Sequence, residues 1–428
     1  MSDAAPCVAA KSPPGPATPP WRRTLYACWI AQLLSIVGFS CVMPFMPFYV
    51  RELGVQGEAA VALWSGLVIT GAGITQAIFA PIWGALADRH GRKIMVERAM
   101  FGGAVVIAIM GLVTNVHQLL ILRTVQGALT GTVVASTTLV AAVTPNHRMG
   151  LSLGLMQVAV LMGMTVGPWA GGLVADAWGY RVPFFASGAL LAVGGLIVLF
   201  FAHEQFTRNP EGARNHGLRR AFGGRGLLAL LAAFFMVSLT ASFVGPIFPL
   251  LVESISGTDR VASTAGMLMG IAGFAAGLSA LGIGLLGDRL GHKLVLVGCT
   301  LASALFAAPH ALAHTLGQLV VLRVAMGLTR GGTMPSLNAI VGQAVSADTY
   351  GRSFGNTRIA SGLGMGIGPL LGGIAAAQLG LRWPFVIMSG LLVVSAVLVW
   401  RWIRPSVLAT EAASGERAPS ASGAEAAK

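Results

Sequence analysis

Charged side chains inside apolar sequence are where chemistry is first sought in this chain, because an ionised group there needs a partner. Four of the 28 lysines and arginines lie within long apolar runs and more than a helical turn from either end: Arg123, Arg323, Arg330 and Arg358. On insertion scales an arginine at mid-span costs about 2.5–3.5 kcal/mol, so each is a functional candidate by default. Arg123 stands in Leu120-x-x-Arg123-x-x-Gln126-Gly127, which puts the guanidinium and the Gln126 amide on one helix face. An alternative is that Arg123, near the end of its run, extends to the outer interface. Arg323, Gly327 and Arg330 are spaced i, i+4, i+7 and also share a face. Arg330 lies further from the end of its run and is expected to point into a central cavity. Asn356 and Arg358 stand near the start of a later run, and Gln157 occupies the position matching Arg358 in the first half. For Arg358 an interfacial position is equally open. Trp64 is a candidate apolar contact for a substrate, or a core residue.

The carboxylates are as informative by position. None of the fifteen Asp and Glu residues falls in the middle of an apolar run. Proton transfer would then use a rim acid, Glu52 or its counterpart Glu253, or a histidine such as His310; otherwise the substrate itself carries the coupling. A net positive pathway favours anionic or neutral amphiphiles over lipophilic cations. Other chemistries find no residues. Cys7, Cys28, Cys41 and Cys299 show no paired spacing, which argues against a disulfide framework or zinc site. Gly282-x-Gly284-x-x-Gly287-Asp288 satisfies a dinucleotide pattern but ends an apolar run instead of following a strand. None of Lys11, Lys93, Lys293 and Lys428 follows a glycine, so there is no phosphate-binding P-loop and no direct ATP hydrolysis. No enzyme activity, cofactor or metal is expected.

The elements that must position these residues are membrane spans. The chain is 55% hydrophobic and 10% charged, against about 25% charged residues in soluble proteins. Apolar runs lie near 25–50, 60–83, 95–114, 118–142, 151–175 and 182–202, and again near 226–252, 261–286, 294–313, 318–345, 353–378 and 384–402. The first is too long for a signal-peptide core and should be retained. The plan is a disordered cytoplasmic tail (1–21), a six-helix half (22–202), a cytoplasmic linker (203–225), a second six-helix half (226–404) and a disordered cytoplasmic tail (405–428). Twenty basic residues fall in the segments this plan puts inside, and only Arg51, Arg181, Arg260 and Arg382 outside. That asymmetry places both termini in the cytoplasm. It also accounts for the net charge of +13 without nucleic acid as a partner.

The two halves repeat one another. Gly84, Asp88, Arg89, Gly91 and Lys93 return as Gly284, Asp288, Arg289, Gly291 and Lys293, with His292 in place of Arg92. Gly167-Pro168-x-x-Gly171-Gly172 returns as Gly368-Pro369-x-x-Gly372-Gly373. Pro44 and Pro47, taken to close the first span, match Pro246 and Pro249. Two parallel six-helix repeats fit a transporter whose substrate site lies between them.

Gly84–Lys93 resembles the signature loop of the major facilitator superfamily. Gly163-x-x-x-Gly167-Pro168-x-x-Gly171-Gly172 is similar to its antiporter motif, and the Arg123–Gln126 segment to a motif associated with proton transfer. The resemblance covers about residues 22–404 and is nearest to the twelve-span drug:proton antiporter branch. It implies an all-α membrane protein with twelve transmembrane helices in two pseudo-symmetric halves. It also implies export of toxic amphiphiles across the bacterial inner membrane, by proton antiport and alternating access. Spans one, four, seven and ten would line the cavity, and spans five and eleven would pack the halves. Asp88 would face the start of span eleven as a latch between the halves. The expected partners are small-molecule substrate, protons and lipid, with the chain a monomer. The alternatives are a transporter of one sugar or organic anion, and a non-transporting receptor or scaffold.

Overall fold

The computed structural model describes residues 21–204, 225–344 and 350–402. The expected disordered tails, except Trp21, which begins the first helix, and most of the linker lie outside them. Among the described residues every regular element is a helix, and they assemble into twelve spans. Six are single helices or nearly so: spans two (Glu58–His90), three (Arg92–Met110), five (Met149–Trp178) and six (Val182–Phe201) in the first half, and eight (Val261–Leu290) and nine (His292–Ala307) in the second. Spans eleven (Tyr350–Leu379) and twelve (Trp383–Trp402) are also continuous. Nine stretches among the described residues are long and apolar enough to cross a membrane. Of the rest, span three opens on Arg92, Lys93, Glu97 and Arg98, while spans seven and ten are divided into shorter pieces.

Spans one, four, seven and ten are the broken ones. Span one runs Trp21–Cys41 and resumes at Met46–Glu52; span seven runs Arg225–Ser242 and resumes at Phe248–Ser256. Proline lacks the N–H that would continue the ladder and is tolerated at a helix start. Pro44 and Pro246 thus fall in the breaks, with Pro47 and Pro249 in the first turns beyond them. The prolines taken to close span one therefore interrupt it. Span four breaks between Val116–Leu129 and Thr132–Val143, at Gly131 with φ of 134°. Span ten breaks between Leu316–Arg330 and Thr333–Ala344, at Gly331 and Gly332.

The end carrying the turns at Gly91 and Gly291 is termed inner, and the opposite end outer. The two halves meet at the outer end along two seams of small residues. Gly66 and Gly73 of span two lie against Pro369 and Gly366 of span eleven. Gly172 and Pro168 of span five lie against Ala262 and Gly266 of span eight, and Thr165 against Gly270. Without hydrophobic drive between helices in lipid, such close backbone approach is what holds them. A buried cluster around Phe45, Tyr49 and Phe184 extends across to Ile247, Leu250 and Ala376 of the second half. At the inner end each half keeps its own core, around Met100 and Met156 in one and Leu296 and Leu337 in the other. Gly84, Gly150, Gly154, Gly282, Gly284 and Gly355 all face open space there. The molecule is closed outside and open inside.

Candidate functional site: the inner cleft and its outer seal

The cleft opens where the seams stop. On span five the seam face runs inward from Gly172 through Pro168, Thr165 and Leu161, and Gln157 is the next residue on it. On span eleven the face runs from Gly373 through Pro369, Gly366 and Gly362 to Arg358. Gln157 and Arg358 are both exposed, at matching positions on the two walls of the cleft mouth. Asn356, half-buried, lies just inward of Arg358.

The Gly163–Gly172 motif serves two contacts at once. Gly163, Gly167 and Gly171 seat span five on span one, against Ile36, Val37, Ser40 and Cys41, and Ser40 Oγ donates to the Gly163 carbonyl at 2.9 Å. Gly172 and Pro168 face the other half. Span eleven divides its copy in the same way, with Gly364, Gly368 and Gly372 on span seven and Gly366 and Gly373 on span two. Most of the motif therefore packs inside its own half, and only one edge forms the interface.

Neither Arg123 nor Arg323 extends to an interface. They are 5% and 9% exposed. Arg123 Nη1 donates to Gln126 Oε1 at 3.0 Å, and the Arg323 guanidinium lies 3.3 Å from the Phe248 ring centre. Arg330 does not stand free in the cavity. Its Nη2 donates at 2.8 Å to the carbonyl of Thr240, whose own helical partner is lost where span seven breaks. Arg330 thus caps that helix end and remains half-buried. Trp64 packs edge-on to His117, with ring centres 4.9 Å apart. His310 is buried, stacked on Phe385 at 5.4 Å, with Nδ1 2.9 Å from the Phe306 carbonyl.

At the inner loops, Gly91 and Gly291 have φ of 99° and 90°, a region that glycine enters without strain. Each ends one span and begins the next. Gly84 faces open space, and Asp88 and Arg89 are exposed; among the described residues the Asp88 carboxylate makes no hydrogen bond or ion pair. Asp288 pairs with His292 at 3.3 Å, while Arg289 is exposed. The backbone N–H groups of Arg92 and Lys93 donate to the Glu204 carboxylate at 3.1 and 2.8 Å, an N-terminal cap for span three. Arg98, near the start of span three, lies 3.4 Å over the Trp83 ring, and Trp83 Nε1 donates to the Ala128 carbonyl at 2.6 Å. Its only signal was position, within the first two turns of span three.

At the outer rim both candidate acids are paired with arginines. Glu253 accepts two hydrogen bonds from Arg51, at 2.7 and 2.9 Å, across the halves. Glu52 pairs with Arg181 at 3.1 Å within the first half. Between spans five and six, burial pushes the Tyr180 phenol up, and Asp176, Glu253 and Glu52 push it further while Arg51 opposes them. Asp176 accepts from the backbone N–H groups of Ala262 and Ser263, at 3.2 and 2.8 Å.

The Major Facilitator Superfamily model matches residues 28–259 and 230–426. The Multidrug resistance protein MdtG of Salmonella dublin is 34% identical over 396 residues, covering 91% of this chain and 98% of the relative. That of Citrobacter koseri is 35% identical over 389 residues, covering 90% and 96%. Among solved structures, the D-xylose-proton symporter has a TM-score of 0.74 at 14% identity, covering 90% of this chain and 99% of that one. The human organic anion transporter TETRAN has a TM-score of 0.66 at 20% identity, covering 89% and 100%. At these identities the structures testify to the fold. With two repeated six-helix halves, the signature turns at Gly91 and Gly291, and relatives matched over nearly their whole length, the chain belongs to the Major Facilitator Superfamily.

Proposed function

We propose that this protein exports drugs and other toxic amphiphiles across the bacterial inner membrane, with both termini in the cytoplasm. The observation that carries the reading is its similarity, at about one residue in three over nine-tenths of the chain, to proteins named for multidrug resistance. The geometry supports it, because the cleft opens at the end of the Gly91 and Gly291 turns, which the basic-residue asymmetry assigns to the cytoplasm, where an exporter loads. Substrate enters between Gln157 and Arg358, and the basic rim favours anionic or neutral amphiphiles. Alternating access then closes the inner mouth and parts the outer seams. Protons entering from outside drive the return, with Arg123 and Gln126, Glu52 and Glu253 as the groups proposed to pass them. The transporter works as a monomer.

The proposed inner latch is supported by the course of the seam. Ala62 lies opposite Gly373, Gly66 opposite Pro369, Gly73 opposite Gly366 and Ala77 opposite Gly362, so span two runs inward as span eleven runs back toward its start. That antiparallel course favours a meeting of Asp88 with the first turn of span eleven once the mouth closes, where a carboxylate finds unpaired backbone donors. Asp88 is exposed in the inward-open molecule because the mouth is open.

The test is drug susceptibility of an efflux-deficient bacterial host expressing the protein, across anionic, neutral and cationic compounds, with and without an uncoupler. Resistance to several compounds that collapses with the uncoupler supports proton-driven multidrug export. No resistance from a well-expressed, membrane-inserted protein would overturn it, and resistance to a single compound would favour a transporter of one metabolite.

A further inference from the structure

The two outer seams are not equivalent, although the halves that form them are repeats. On one seam Asp176, near the end of span five, places both carboxylate oxygens on the start of span eight in the other half. Span eight begins at Val261, so Ala262 and Ser263 are in its first turn, where N–H groups have no partner within the helix. The position matching Asp176 in span eleven is Ala377, which has no acceptor. The target differs as well. Span two begins three residues earlier in the shared register, at Glu58, and Val61 already donates to the Gly57 carbonyl. Ala62 and Leu63, which match Ala262 and Ser263, therefore lie beyond the unpaired first turn.

We infer that Asp176 is a one-sided latch that holds the outer gate shut, and that the other seam closes by small-residue packing alone. Two independent features fit this role. Arg51 and Glu253 join the same two halves through a two-point ion pair at the same end of the molecule. Asp176 itself is half-buried, and the electrostatics at Tyr180 respond to Asp176, Glu253 and Arg51 together, so latch and ion pair belong to one cluster. When the seam between spans five and eight parts, the Asp176 carboxylate and the first-turn donors of span eight both pass to water. Solvation of both sides keeps the net cost of opening well below the gross strength of the two bonds. The charged groups that act on Tyr180 in this cluster are Asp176, Glu253, Arg51 and Glu52, and Arg260 immediately precedes span eight.

The inference concerns which gate is shut and rests on the inward-open geometry; it does not depend on what is transported. It can therefore be tested without substrate, by hydrogen–deuterium exchange on the purified full-length protein in detergent or nanodiscs. Asp176→Asn keeps an oxygen acceptor and drops the charge; Asp176→Ala removes both. Each should raise exchange at residues 258–266 and, in the same molecules, lower exchange at the inner ends of spans two and eight, as the population moves toward outward-open. A charge at a helix terminus corresponds to a shift of about two- to thirtyfold in that ratio. The Ala variant should exceed the Asn variant, and Glu253→Gln should shift the ratio in the same direction. Faster exchange at the start of span eight with unchanged inner ends would mean that Asp176 is only a local cap, and would overturn the latch. If Asp176→Ala loses protection throughout, the Asn variant alone decides by the same criterion.

Discussion

Two duties of Arg330, one observed and one proposed, can be separated by substitution. Its guanidinium caps the Thr240 carbonyl at the break in span seven, and we propose that its charge also contributes to a basic pathway. Arg330→Gln keeps hydrogen-bond donors and removes the charge. Hydrogen bonds to charged groups are worth about 1.5–3 kcal/mol, so export of anionic compounds should fall by roughly ten- to a hundredfold while neutral compounds change little. Equal loss for all substrates in the susceptibility assay, with normal expression, would leave capping as its sole duty. Tyr49 makes a simpler case: fully buried, its hydroxyl donates to the Met110 carbonyl at 2.7 Å. Tyr49→Phe should cost about 0.6 kcal/mol and at most about 1.7, the range for polar contacts between membrane helices. A thermal unfolding assay would show a small drop in melting temperature with transport intact. The sequence makes the charged residues inside the spans conspicuous, because charge in apolar sequence stands out. It hides Asp176, which reads as an ordinary acid near a loop because its partners are 86 and 87 residues away.

At the level of elements, the seams predict which glycines cannot change. A β-carbon on Gly172 would collide with the Ala262 carbonyl, whereas Gly298 in span nine faces open space. Gly172→Val should therefore abolish transport at normal expression, with the outer seam wedged apart, and Gly298→Ala should be tolerated. Uptake by everted vesicles would distinguish them, and an active Gly172→Val protein would show that the seam need not close. The twelve spans and their repeat are legible in apolar runs and shifted motifs. The breaks are less so. Proline marks those in spans one and seven, but in spans four and ten the markers are Gly131, Gly331 and Gly332, which resemble the packing glycines abundant elsewhere in the chain.

At the level of the whole molecule, the inner and outer latches should act in opposition. Asp88→Asn removes the charge proposed to meet span eleven when the inner mouth closes, so turnover should slow by about two- to fivefold, corresponding to 0.3–1 kcal/mol, with little change in binding of a labelled substrate. Unchanged turnover would count against the inner latch. The state of the gates was not legible in the sequence, since one chain must encode both closed ends. The outer seams, the inner glycines that face open space, and the exposure of Asp88 beside the engagement of Asp176 tell which is closed here.

The four seam helices are also longer than a bilayer requires. Span two has 33 residues and spans five, eight and eleven have 30 each, or about 45–50 Å at 1.5 Å per residue against a hydrocarbon core of about 30 Å. Joined over their outer halves, with contacts reaching inward to Ala77 and Leu161, they are levers with the fulcrum near mid-length. A tilt of about 20° over the roughly 20 Å that runs on beyond those contacts moves the free tip by roughly 7 Å, close to the interaxial distance between packed helices. A modest rotation at the backbone-contacting glycines of the fulcrum is thus enlarged at the mouth. Shortening these arms by one helical turn, with the seams left untouched, would reduce the width of the mouth while leaving the strength of the seal intact.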